Sequence, residues 1–150
     1  MSEQEQRAAV VAEARTWLGT RWIHEARVRG AGVDCGQLLA AVYEACGIIG
    51  SVTIESYPRA WAHHRGEEKF LGYVEQMAAR VTDREPLPGD IVLFRYGRSL
   101  SHAGIVVEWP VIVHAYADVG QVTLDNVDHR FDLRARYAGA WDPWARRGDK

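Results

Sequence analysis

The stretch GAGVDCGQLLAAVYEACG, residues 30–47, contains both cysteines of the chain and predicts the helix around which the fold is organised. Asp34 is a good N-cap residue, and Gly47 suits the position just after a helix end. Between them the side chains with apolar character recur at helical spacing. They are Cys35, Leu38, Leu39, Val42 and Cys46. We therefore expect a helix that begins at Cys35 and is ended by Gly47, with one face against the core.

This predicted helix places its two cysteines in opposite environments. Cys35 lies in the first turn, where unpaired N–H groups and the helix dipole favour a thiolate. Cys46 lies in the last turn, where the same dipole opposes a thiolate. We expect Cys35 to be the reactive thiol and Cys46 to be a packing residue. The alternative for Cys35 is a small core hydrophobe, because free cysteines are among the most buried residues.

The segments on either side of this helix are predicted from capping and periodicity. Ser2 and Glu5 form a capping-box pattern, which predicts a helix over about residues 3–18. Residues 20–33 show no sustained period and are expected to form a loop. Helical spacing returns in residues 67–80, which predicts a third helix.

After EPLPGD, residues 85–90, the period changes from helical to extended. Several β-rich runs separated by short turns follow. They are DIVLFRY (90–96), HAGIVVEW (102–109), VIVHAY (111–116), QVTLDNV (121–127) and RYAGAW (136–141). Helices followed by an antiparallel meander predict the α+β class.

Length and composition fit one soluble domain over residues 1–150. The hydrophobic fraction is 47%, the charged fraction 25% and the net charge -2, which gives no general attraction to nucleic acid or to an anionic membrane. The polar N-terminus lacks the pattern of a secretory signal, so we expect a product made in the cytoplasm. Two cysteines are too few for a disulfide framework, and we expect reduced thiols.

His102 and His114 lie on two β runs joined by a turn near residues 108–110. If paired residue numbers sum to 216, the two histidines face each other directly; a sum of 218 also keeps them on one face, and an odd sum separates them. Each histidine alone is also compatible with a half-buried structural role.

Two adjacent imidazoles are suited to either of two kinds of site. In nucleophilic catalysis, one accepts the cysteine proton and the other orients it. In a zinc site, His102, His114, Cys35 and Asp34 would supply the ligands. No C-x-x-C, H-E-x-x-H or H-x-x-E-H pattern occurs, which disfavours zinc without excluding distant single ligands.

Four short strings together resemble the NlpC-type cell-wall cysteine peptidases, which have a rearranged papain-like fold. VDCGQLLAAVYEACG resembles the family's Asp-Cys-Ser-Gly helix start, and LPGDIVLF resembles its Pro-Gly-Asp strand start. SHAGIVVE resembles the His-x-Gly-Ile-Tyr strand, and VIVHAY resembles the Ile-His-Ala strand. The strings occur in the family's order over about residues 14–116.

The resemblance implies a catalytic triad of Cys35 as nucleophile, His102 as general base and His114 as the group that orients it, with no cofactor. It implies attack of a Cys35 thiolate on a stem peptide of bacterial peptidoglycan, usually beside a γ-linked D-glutamate. The loop TRWIHEARVRGAGVDC, residues 20–35, looks most like the branch found in tails of phages and gene transfer agents. This branch implies a tail-tip component that acts in cell-wall penetration, with other tail proteins as partners.

The chain departs from the family pattern on the substrate side. Gly36 and Gln37 replace Ser-Gly, and Trp22 stands where the family commonly has Tyr; Trp can donate a hydrogen bond but cannot ionise. We expect Trp22, Asp34 and Gly36 to contact substrate. These departures keep open an inactive structural or binding module on the same fold. The zinc site, and a relative that transfers acyl or amide groups on the same scaffold, are two further alternatives.

Overall fold

The computed structural model describes residues 1–50 and 67–148. Its three longer helices precede the main sheet in the chain, and two short ones lie before and after the last strand of that sheet. The helices are α1 (Glu3–Arg15), α2 (Cys35–Ala45), α3 (Glu67–Met77), α4 (Phe131–Arg134) and α5 (Pro143–Gly148). The strands are β1 (Arg27–Val28), β2 (Gly32–Val33), β3 (Ala79–Val81), β4 (Ile91–Tyr96), β5 (Ser99–Glu108), β6 (Val111–Tyr116), β7 (Gln121–Asn126) and β8 (Tyr137–Asp142).

Among the described residues, six strands form one antiparallel sheet in the order β3-β8-β4-β5-β6-β7. Strands β4 to β7 follow one another as a meander, and β8 returns to pair with β4. The α+β class with helices packed on an antiparallel sheet is therefore confirmed. Strand β3 was missed, because its three residues are too few to show a period. The predicted loop before α2 contains the small antiparallel pair β1 and β2.

Local signals place the starts of α1 and α2 correctly. Ser2 and Glu5 form the reciprocal capping box, and the Asp34 side chain caps α2. Helix α1 ends at Arg15, earlier than predicted, because the next N–H groups bond three residues back, as in Thr16 N–H to Glu13 O at 3.0 Å. Helix α3 likewise ends before residue 80, where the chain becomes strand β3.

The sheet separates two hydrophobic clusters, because successive strand residues point to opposite faces. Helices α1, α2 and α3 pack on one face, where Ile105 and Val113 meet Leu38 and Tyr43. Phe94, Val106, Ile112 and Tyr116 belong to the second cluster, together with Leu133 of α4. Strands β4, β5 and β6 thus contribute to both clusters, whereas β7 contributes Val122 to the first cluster.

Asp90, predicted to be a turn residue at the start of a strand, is fully buried and joins several elements. Its Oδ2 accepts the Leu87 N–H at 2.8 Å, which closes the turn. Arg7 of α1 donates to Oδ1 at 2.9 Å, and Arg84 donates to Oδ2 at 2.8 Å. Both arginines also bind Asp142 at the end of β8, at 3.0 and 2.8 Å. The turn, the first helix and the last strand are therefore tied by one ion-pair network.

Strand β7 forms one edge of the sheet, and the segment after α1 runs along part of it. Gly19 donates to Val122 O at 2.9 Å, and Val122 donates to Thr20 O at 2.8 Å. A single bridge pairs Arg21 with Gln121. These contacts hold the first half of β7 against the loop that leads to α2.

Candidate active site

Helix α2 begins at Cys35 because the Asp34 carboxylate satisfies backbone donors on both sides of it. Oδ1 accepts the Gln37 N–H at 3.0 Å, in the manner of an N-cap. Oδ2 accepts the Glu25 N–H at 2.8 Å. The carboxylate therefore fixes the helix start and the preceding loop to each other, which gives Cys35 a defined position.

The Cys35 thiol lies against the backbone of β5. Its side chain is buried, and Sγ is 3.8 Å from Ser101 O. Among the described residues, the β5–β6 pairs end at Ile105 and Val113, so the ladder does not extend to Ser101 and Ala103. Backbone groups of β5 near the thiol are thus available to interact with it.

The prediction that the helix N-terminus favours a Cys35 thiolate is wrong for this structure. Burial raises the pKa of the thiol, and the negative charge of Asp34 raises it further. The N–H groups of Ala103, Gly36 and Cys35 lower that pKa, but by less. The resting thiol is therefore neutral. Burial also raises the pKa of Cys46, whose Sγ lies 3.6 Å from Ala9 O.

The two predicted histidines lie together on neighbouring strands. His102 Nε2 is 2.8 Å from His114 Nδ1, and both side chains are buried. The pairs Ile105–Val113 and Val106–Ile112 give a sum of 218, so the same-face register is correct and the directly facing register of 216 is wrong. The bulge in β5 between Val106 and Glu108 shifts the register near the turn, which no sequence pattern indicated.

Gly104 explains how the two imidazoles come within hydrogen-bond distance. In the register of 218, Gly104 lies across from His114. A Cβ at this position would lie 2.7 Å from Ile112 Cδ1 and 3.3 Å from His114 Cβ. The absence of a side chain therefore lets His114 pack closely against β5.

The far side of His114 is bound to a carboxylate. His114 Nε2 is 2.6 Å from Asp125 Oδ2, and Arg130 lies 3.4 Å from Asp125 Oδ1. Burial raises the pKa of Asp125, but the hydrogen bond from His114 and the charge of Arg130 outweigh it, so the pKa of Asp125 is lowered. A hydrogen-bonded row thus runs from His102 through His114 to Asp125.

Aromatic rings surround His102 and keep water from it. Phe94, Tyr96 and Tyr116 have ring centroids 5.6, 5.9 and 5.1 Å from that of His102. Burial lowers the pKa of His102 well below 6.5, and the neighbouring His114 lowers it further. His102 is therefore a neutral imidazole at neutral pH. With Nε2 bound to His114, Nδ1 is the nitrogen left to act as a base.

Two tyrosines and a second carboxylate border this row. Tyr96 Oη is 2.8 Å from Tyr116 Oη, and Tyr116 donates to Asp132 Oδ2 at 2.6 Å. That hydrogen bond, with Arg130 nearby, lowers the pKa of Asp132 to about 2. Arg130 reaches both Asp125 and Asp132 and so links the two carboxylates.

The structure brings the remaining predicted residues near α2 without testing their roles. Trp22 packs against the main core, and its backbone N–H donates to Gly120 O at 2.8 Å. The Gly36 N–H is close enough to the Cys35 thiol to lower its pKa. Gln37 accepts a hydrogen bond from Arg27 at 2.7 Å, which holds the segment before α2 to that helix. Contacts of Trp22, Asp34 and Gly36 with substrate stay predictions.

The zinc alternative receives no support from the described part of the chain. Within it, no group of three His, Cys, Asp or Glu side chains is placed to hold one metal ion. His102 Nε2 and His114 Nδ1 instead point at each other in a hydrogen bond.

Within residues 1–50 and 67–148, no helix is long and apolar enough to cross a membrane.

Sequence reasoning missed Asp125 and the tyrosines that border the histidines. Asp125 pairs with Ile112 across β6 and β7, which puts it diagonal to His114 on the same face. The hairpin turn near residues 117–120 could have indicated this register. No comparable local signal marks Tyr96 or Tyr116, because their proximity to His102 depends on the whole sheet.

Comparison with solved structures places the fold among known proteins. An NLP/P60-family protein of Staphylococcus aureus, described as similar to lipoprotein, has a TM-score of 0.66 at 18% identity, over 95% of this chain and 42% of its own. The NlpC/p60 domain of the peptidoglycan hydrolase SagA has a TM-score of 0.64 at 18% identity, over 91% of this chain and 97% of its own. The peptidoglycan hydrolase RipB of Mycobacterium tuberculosis has a TM-score of 0.59 at 14% identity, over 93% of this chain and 64% of its own.

These similarities concern the fold, and the chain spans less than half of the staphylococcal protein's length. No curated protein matches the sequence. The sequence profile of the NlpC/P60 family matches residues 18–141, which include α2, the two histidines and all of the main sheet except its last residue. With well over half of its length matched and the same arrangement of helices on an antiparallel sheet, the chain belongs to the NlpC/P60 family.

Proposed function

We propose that the protein is a cysteine peptidase that hydrolyses the stem peptides of bacterial peptidoglycan. The observation that carries this proposal is the 2.8 Å hydrogen bond between His102 Nε2 and His114 Nδ1, beside a helix that begins at Cys35. A base held by a second polar group near a thiol is the arrangement that nucleophilic catalysis requires. Family membership supports the same chemistry, since SagA and RipB are described as peptidoglycan hydrolases.

In the proposed reaction, Cys35 Sγ attacks the carbonyl carbon of the scissile peptide. Because burial raises the pKa of the thiol and lowers that of His102, proton transfer from Sγ to His102 Nδ1 accompanies the attack. Backbone N–H groups at the start of α2, including that of Gly36, stabilise the oxyanion. The protonated His102 then gives its proton to the leaving amine, and water hydrolyses the thioester.

The finer assignments rest on the resemblance of the sequence. The bond cut lies beside a γ-linked D-glutamate, and Trp22, Asp34 and Gly36 contact the substrate. The protein is made in the cytoplasm and becomes part of a phage or gene-transfer-agent tail, where other tail proteins are its partners. Immunogold labelling of particles from the source strain tests this location: label at the tail tip is expected, and label confined to the cell interior contradicts it.

One observation favours a second candidate, an inactive structural module on the same fold. The Cys35 thiol is hydrogen-bonded to Ser101 O, and the described residues include no direct hydrogen bond from it to His102. Gly36 and Gln37 also replace the family's Ser-Gly. A protein that used the fold only for assembly would need neither thiol activation nor a substrate-ready helix start.

Digestion of purified peptidoglycan separates the two candidates. Wild type, Cys35→Ala and the control Cys46→Ala are incubated with sacculi containing diaminopimelate or lysine, and released fragments are identified by mass spectrometry. We expect wild type and Cys46→Ala to release the same peptides, and Cys35→Ala to lose more than about 1,000-fold in rate. No release by wild type from either chemotype, or equal release by Cys35→Ala, would refute the peptidase.

A further inference from the structure

We infer that Asp125 is a positioning residue that determines which nitrogen of His102 carries the proton. The inference rests on the proposed function in one respect, namely that His102 is the base. Asp125 contacts neither the thiol nor His102; it acts through His114, to which its Oδ2 is bound at 2.6 Å.

The placement of Asp125 follows from the pairing of β6 and β7. Asp125 lies opposite Ile112, and His114 lies two residues further along β6 on the same face. The His114 side chain is 0% exposed and that of Asp125 is 14% exposed, so the bond between them is shielded from bulk water. Arg130 binds the other oxygen, Oδ1, which leaves Oδ2 for His114.

The chemistry of these groups fixes the proton positions in sequence. An ionised carboxylate only accepts hydrogen bonds, so the Nε2 of His114 must carry a hydrogen. In a neutral imidazole the other nitrogen, His114 Nδ1, is then an acceptor. His102 Nε2, 2.8 Å away, must therefore be the donor. The lone pair of His102 is left on Nδ1, where a base for the Cys35 proton is needed.

Without the carboxylate, nothing determines which of the two imidazoles donates the hydrogen bond between them. The hydrogen bond between His102 and His114 can form with either ring as donor, and the reverse arrangement puts a hydrogen on His102 Nδ1. An imidazole in that tautomer cannot accept the thiol proton. In serine proteases, loss of the equivalent carboxylate leaves the geometry intact but traps the wrong tautomer. Here the carboxylate exerts this control through one additional ring.

The test compares Asp125→Ala with Asp132→Ala as its matched control. Both variants remove one carboxylate that Arg130 binds, but Asp132 accepts its hydrogen bond from Tyr116 and not from a histidine. Long-range ¹H–¹⁵N NMR on the full chain reports the tautomer of each histidine without any substrate. Histidine substitutions assign the signals, and peptidoglycan hydrolysis is measured in parallel.

We expect His102 and His114 to carry hydrogen on Nε2 in wild type and in Asp132→Ala. In Asp125→Ala the two rings should show mixed tautomers, and kcat/KM should fall about 10- to 100-fold through kcat. A wild-type His102 with hydrogen on Nδ1, or an unchanged tautomer in Asp125→Ala, overturns the inference. The wild-type spectrum decides even if Asp125→Ala fails to fold. Absence of hydrolysis alongside the expected tautomer shift would refute the peptidase and leave the proton arrangement standing.

Discussion

Removal of the charge on Asp90 should cost a large share of the protein's stability. The side chain is 0% exposed, Arg7 is 7% exposed and Arg84 is 28% exposed. Asp90→Asn keeps the size of the side chain but leaves the two guanidinium groups sharing Asp142, with the exposed Glu3 as a further partner of Arg7. Breaking a buried ion pair by neutralising one partner costs about 3–5 kcal/mol. Because water partly screens Arg84, we expect the lower end, about 3 kcal/mol.

The expected loss can be measured by urea unfolding, followed through tryptophan fluorescence. For a chain of this size, about 3 kcal/mol corresponds to a Tm lower by about 6–12 °C. Asp83→Asn is the matched control, since Asp83 lies exposed in the segment that leads to the same turn; its effect should stay within about 0.5 kcal/mol. A loss below about 1 kcal/mol for Asp90→Asn, with an unchanged m-value, would refute the reasoning, because the network would then contribute no more than surface pairs do.

Three further predictions concern the site itself. Burial lowers the pKa of His102 below 6.5, so just below pH 6.5 the unfolded state binds more protons than the folded state. The free energy of unfolding should therefore fall by up to about 1.4 kcal/mol per pH unit as the pH drops below 6.5. Urea unfolding should show a weaker pH dependence for His102→Gln than for wild type. Gly104→Ala should displace Ile112 and His114, cost about 1–3 kcal/mol in thermal unfolding and reduce peptidoglycan hydrolysis. Its control, Gly72→Ala, has open space around the added Cβ and should stabilise α3 by about 0.5–1 kcal/mol; equal effects of the two substitutions would contradict the packing at β5. Because burial raises the pKa of Cys35, its alkylation by iodoacetamide should rise about tenfold per pH unit from pH 6 to 9, and a plateau below pH 7 would instead indicate a thiolate–imidazolium pair.

The parts of the fold that depend on near neighbours could be predicted from the sequence. Asp34 caps α2 through a residue three positions away, and Ser2 caps α1 in the same way. Alternation within β6 places His114 on a definite face, so a shared face with His102 could be expected once an even register was assumed. These features need only the period of each element and the chemistry of its ends.

The remaining parts depend on contacts between distant segments. The helix-end argument for Cys35 considered only its own helix, and burial by the rest of the chain outweighs that effect on the pKa. Asp90 resembles an ordinary turn residue until Arg7 is brought beside it from 83 positions away. In the sequence, Asp125 looks like any other carboxylate of a solvent-facing strand position. Only the pairing of β6 with β7 brings it next to His114. Reasoning from the sequence therefore singled out Cys35, His102 and His114, whereas the carboxylates Asp90 and Asp125 could be recognised only in the folded chain.

The position of β7 at the edge of the sheet has a consequence for the dynamics of the site. Among the described residues, the bonds from residues 19–21 reach no further along β7 than Val122, so the half that carries Asp125 is paired with β6 alone. Edge segments open locally at a smaller free-energy cost than global unfolding. Each such opening would detach the carboxylate while the helices and the central strands stay folded. In the proposed peptidase, the fraction of molecules that keep the carboxylate on His114 is then set by the fraying of one half-strand. Hydrogen exchange at the amides of Thr123 and Asp125, which face β6, would measure it.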